Sequence, residues 1–124
     1  MACILDSPYA SLWSLVKQIG QERTMLPGFI IEKVLDYIRD CIKEEHLFDI
    51  KQLEPVKCIA HIDQPVLFIT SLMDECVKSE DVVQLYKNST SRIKQLEYID
   101  KSHNSARDKE TIDLAINFLY KNLT

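Results

Sequence analysis

The run Pro65-Val66-Leu67-Phe68-Ile69-Thr70 constrains this chain most. Side chains alternate across a strand, so a strand with no polar face must be covered on both sides. That is the habit of a central parallel strand between two layers of helices. The segments around it supply such helices. Ser7 is placed to cap a helix that Pro8 opens, with Leu12, Leu15, Val16 and Ile19 at helical spacing and Gly20 at its end. Pro27-Gly28 opens a second helix, whose apolar face is Ile31, Val34, Leu35, Ile38 and Ile42. Its alternating charges between Glu32 and Glu45 read as a solvated face.

The pattern weakens between Glu45 and Ile62, where Pro55 marks a short helical start. Ser79, Glu80 and Asp81 begin another helix, with acidic groups at its positive end and Val82, Leu85 and Tyr86 as its apolar stripe. Ile93–Ile99 reads as a further strand. Asp108 caps a last helix, expected to bury Ile112, Ala115, Ile116, Leu119 and Leu123. A buried-type strand also occupies Ala2–Leu5. The alternation of strands and helices predicts an α/β chain with a parallel sheet between two helical layers, α/β/α.

Composition supports one core and restricts the partners. Of 124 residues, 46% are hydrophobic and 27% charged, which fits a packed domain rather than disorder. The net charge of −4 and the lack of a basic cluster argue against nucleic acid. No apolar run approaches the roughly 20 residues of a membrane span, and no secretory leader is evident. Cys3, Cys41, Cys58 and Cys76 are scattered without a C-x-x-C pair. Reduced thiols and a cytoplasmic location are therefore expected. No cofactor and no metal are expected. His46 reads as a partner of its helix C-terminus, and His61 and Asp63 as structural.

Ligands of open α/β sheets bind beyond the carboxyl ends of the strands. Three segments qualify here: Asp6-Ser7, Ser71–Asp74 and Asp100–Asn104. Asp74 and His103 are the acid and imidazole among them with complementary chemistry. Histidine exchanges protons near neutrality, and a carboxylate on its second nitrogen fixes the tautomer. On residue type alone, a loop aspartate is more often a turn or cap residue, and a loop histidine more often a surface or hydrogen-bonding group.

Three motifs bear on that choice. Leu5-Asp6-Ser7-Pro8-Tyr9 resembles the strand-to-helix corner after the nucleophile unit of many α/β-hydrolases. Pro65–Ile69 followed by Asp74-Glu75-Cys76-Val77 resembles that superfamily's acid loop, and His103-Asn104-Ser105-Ala106-Arg107 its histidine loop. The separation of 29 positions from Asp74 to His103 leaves room for one helix and one strand. The resemblance implies that Asp74 orients and His103 acts as general base. It also implies that residues 1–124 are a single partial domain, the C-terminal half of an α/β-hydrolase fold. The serine would precede them on a G-x-S-x-G turn. This chain has only Gly20 and Gly28 and no such motif. Ser7, Ser71, Ser102 and Ser105 read as capping or loop serines, and Tyr9 and Trp13 as pocket-lining or core residues.

The sequence departs from its relatives at Ser71, at Lys101-Ser102 and at Asp108, where many carry glycine, glycine and proline. The resemblance thus implies a fragment of a serine hydrolase acting on a small-molecule ester, thioester or peptide, inactive alone. The competing reading is a noncatalytic pseudoenzyme that dimerises through its exposed sheet edge. A flavodoxin-like domain would need an early phosphate-binding loop or acidic cluster, and neither is present.

Overall fold

The computed structural model describes residues 1–123. Three parallel strands form one sheet: β1 (Cys3–Asp6), β2 (Val66–Ser71) and β3 (Lys94–Ile99), in the order β1-β2-β3. In register, Cys3 lies beside Val66 and Asp6 beside Ile69, while Val66 lies beside Lys94 and Ser71 beside Ile99. The helices are α1 (Leu12–Arg23), α2 (Gly28–His46), α3 (Pro55–Cys58), α4 (Ser79–Asn88) and α5 (Lys109–Lys121). The expected α/β class with helices on both faces of a parallel sheet is what the chain forms.

Every residue of β2 is buried, as its two apolar faces require. Val66 and Phe68 point into one core layer with Val77, Val82, Leu85 and Ile59. Tyr86 meets the Phe68 ring edge-on, with centroids 5.8 Å apart. Leu67 and Ile69 point the other way, against Phe118, Leu114 and Ala115 of α5 and Ala2 and Ile4 beside them.

Four local expectations are corrected. Ser7 does not cap α1: the helix starts at Leu12 and Ser11 accepts from the Ser14 N–H. Ser7 instead has φ 49° and is buried where the chain leaves β1. Gly20 does not end α1, which continues to Arg23 and is closed by Thr24. A Cβ on Gly20 would stand 3.0 Å from Ile31 Cγ2, so its bareness lets α1 and α2 approach. In α2 the buried residues are Ile31 and Leu35, while Val34 and Ile38 of the expected face are exposed.

The fourth correction concerns α5. It buries Thr111 and Phe118, with Leu114 and Ala115 against the sheet. Ile112, Ile116 and Leu123 are exposed. The helix carries apolar residues on two adjoining stripes, and only one of them meets the sheet. Spacing alone does not tell which. Pro55 does open α3, and Asp108 does cap α5, accepting from Thr111 N at 2.9 Å. Among the described residues, no helix is long and apolar enough to cross a membrane.

Candidate active site

All three strands deliver their carboxyl ends to one rim. The turn after β2 carries Asp74, whose N–H bonds back to the Ser71 carbonyl at 3.3 Å. Val77 then anchors the loop in the core. One carboxylate oxygen of Asp74, Oδ1, accepts from the backbone N–H groups of Cys76 and Val77, both at 2.8 Å. The other, Oδ2, lies 2.8 Å from His103 Nδ1. The Asp74 side chain is 1% exposed and that of His103 is 32% exposed. The acid is thus enclosed, and the imidazole keeps an outward edge.

Burial works to raise the Asp74 pKa, but the hydrogen bonds from His103, Val77 and Cys76 outweigh it and hold the carboxyl below its ordinary range. An ionised carboxylate only accepts, so the proton between the two residues sits on Nδ1. In neutral His103 this leaves the Nε2 lone pair free as a base. Among the described residues, no serine hydroxyl bonds to His103. The sequence-expected acid and base are therefore brought together, while Ser71, Ser102 and Ser105 serve as loop ties. Ser71 Oγ bonds to both the carbonyl and the N–H of Lys101, stitching the acid loop to the histidine loop. Ser105 N–H closes a turn on the Ser102 carbonyl at 3.2 Å, with His103 inside it.

A further clamp involves Arg107 and Asp6, whose pairing the sequence does not announce. Arg107 donates to Asp6 from Nε at 2.8 Å and from Nη2 at 3.0 Å. Its Nη1 reaches the carbonyls of Ser102 and Ser105, each at 3.2 Å. The histidine loop is thereby tied to the end of β1 across 101 residues of sequence. Both residues stand in motifs quoted above, but nothing in their spacing pairs them. Cys76 was also missed: its Sγ lies beside Asp74 and His103.

The remaining candidates lie apart from this rim. His46 sits exposed at the end of α2 beside Glu45, and His61 is exposed in a helical turn before β2. Tyr9 packs against the core, and Trp13 lies under the Lys51 ammonium at 4.1 Å from its ring centre. A concavity of about 780 Å³ runs along α5, lined by Gln95, Asp113, Asn117 and Phe118 among others. It includes neither Asp74 nor His103.

No family model matches the chain, and no curated protein matches it. Among solved structures it resembles acetyl xylan esterase 1 from a Thermoanaerobacterium species, with a TM-score of 0.65 at 19% identity. The match covers 99% of this chain and 38% of that one. The likeness is one of fold: α/β with a small three-stranded parallel sheet, consistent with a partial α/β-hydrolase-like fold. The chain spans well under half the length of that esterase.

Proposed function

We propose that this chain is the acid–base half of a serine hydrolase of esterase type, with Asp74 and His103 as two members of a Ser-Asp-His triad. The observation that carries the reading is the 2.8 Å bond between a buried carboxylate and His103 Nδ1 at the carboxyl ends of parallel strands. The serine comes from a segment preceding these residues. It attacks the carbonyl of an ester, thioester or peptide, and His103 Nε2 takes its proton. Asp74 stabilises the imidazolium, which then protonates the leaving group. Water resolves the acyl-enzyme by the same proton path. The esterase relative favours the ester among these substrates. Alone, the 124 residues are inactive by this route. The scattered, unpaired cysteines suit a cytoplasmic protein.

The test is ester hydrolysis by the longest polypeptide the gene encodes. Asp74→Asn is expected to lower kcat about ten-thousand-fold, as loss of the orienting acid does in such triads. His103→Ala should do at least as much. Unchanged turnover in both would refute the roles assigned.

A second reading, a noncatalytic module that assembles with its own kind, rests on a different observation. Among the described residues β1 pairs on one side only, with β2, and Ile112, Ile116 and Tyr120 of α5 are exposed, as is Leu123 after it. An open strand edge and exposed apolar side chains each favour association. Sedimentation of the 124-residue chain is expected to show a dimer under this reading. A stable monomer at high concentration would count against it.

A further inference from the structure

We propose that Asp74, Cys76 and His103 form a binding site for a thiophilic divalent cation of the zinc class. A carboxylate oxygen of Asp74, Sγ of Cys76 and a ring nitrogen of His103 all lie within 4.8 Å of one another. A tetrahedral zinc ion holds sulfur at about 2.3 Å and nitrogen or oxygen at about 2.0–2.2 Å, which places neighbouring donors roughly 3.3–3.8 Å apart. Small rotations of two loop side chains, Cys76 and His103, cover the difference.

The donor set is selective. One sulfur, one imidazole and one carboxylate suit zinc over the hard cations that prefer oxygen alone. Three protein ligands leave a fourth position for water. The support around the ligands is already in place. The N–H groups of Cys76 and Val77 hold Asp74 Oδ1 and leave Oδ2 directed at the cluster. Outer contacts of this kind orient metal ligands. Thiolate and carboxylate together balance the cation's two charges; on binding the thiol proton passes to the buffer, and the proton between His103 Nδ1 and Asp74 is exchanged for one on Nε2, which frees Nδ1 to ligate. Arg23 Nη2, 3.9 Å from Sγ, is on an exposed side chain free to swing into solvent.

This site does not rest on the hydrolase reading, because all three ligands belong to this chain. Where that reading also holds, the cation occupies the groups that would move the proton, so metal binding and hydrolysis exclude each other. The spacing matters: Cys76 follows Asp74 by two residues, and the turn that buries the acid also delivers the thiol.

Titration of the 124-residue chain with Co(II) tests the site. A thiolate-to-cobalt charge-transfer band is expected, saturating at one equivalent and abolished by added Zn(II). Cys76→Ser should remove the band, and His103→Ala should weaken binding by more than the roughly ten- to hundredfold that loss of an outer-shell contact brings. Cys58→Ser should change neither. Because a variant that unfolds would also lose the band, the unaltered chain is alkylated with iodoacetamide with and without Zn(II). Protection of Cys76 but not of exposed Cys58 supports the site. Absence of the band, a band that survives Cys76→Ser, or equal alkylation of Cys76 in both conditions would overturn it.

Discussion

The Asp74 carboxylate joins the backbone of its own loop to the His103 ring. It is buried, yet its three partners — two backbone N–H groups and His103 — favour the ionised form over the neutral one. A carboxyl whose folded pKa lies below its unfolded value stabilises the fold above that unfolded value, about 3.9, and loses the contribution as pH falls through the folded pKa. Asp49, bonded to Arg39 and the Lys51 N–H, is depressed in the same way, as is Asp108 at the N-terminus of α5. Asp81 opposes them, since burial raises its pKa and protonation relieves it. The expected urea midpoint is steady from neutrality to about pH 5 and falls below about pH 4. Asp74→Asn should remove part of that fall. An acid limb unaltered by the substitution would show that Asp74 is not held in its charged form. The meeting of Asp74 with His103 was legible in the sequence because each follows a recognisable strand. Ser7 was misread because its left-handed backbone depends on how the chain leaves β1, which no residue type dictates. The Asp6–Arg107 clamp was not legible because it joins opposite ends of the chain.

At the scale of elements, β2 was the easiest to read, since a strand without a polar face has one way to be buried. The helices were harder where tertiary packing chose between equivalent stripes. In α5 the stripe of Leu114, Ala115 and Phe118 faces the sheet, and the stripe of Ile112 and Ile116 does not. Gly20 was read as a helix stop because glycine is a poor interior residue. It is retained inside α1 because Ile31 sits where a side chain would go. Gly20→Ala therefore sets a helix-propensity gain of about 1 kcal/mol against an overpacking cost of about 1–3 kcal/mol. Ile31 is buried and β-branched, so it yields little, and a net loss of roughly 1 kcal/mol is expected. Gly28, at the start of α2, meets only a Gln21 side-chain nitrogen at 3.6 Å. Gly28→Ala should be neutral or stabilising by up to about 1 kcal/mol. Denaturant midpoints of the two variants check this, and equal shifts would refute the close helix approach.

Over the whole molecule, the α/β class and parallel order follow from the alternation of elements, and the structural relative shares that fold across nearly the full chain. The same whole-molecule view frames the functional proposal. Asp74, His103 and the Asp6–Arg107 clamp sit on one rim, while the serine proposed to act with them lies outside these 124 residues. The most direct measurement is labelling of the longest encoded polypeptide with a fluorophosphonate probe, followed by mapping of the modified residue. The expected result is one labelled serine preceding the segment described here, with labelling lost in His103→Ala and in Asp74→Asn. Labelling that persists in both variants, or no labelling of the unaltered protein, would contradict the assignment of Asp74 and His103 to a serine hydrolase.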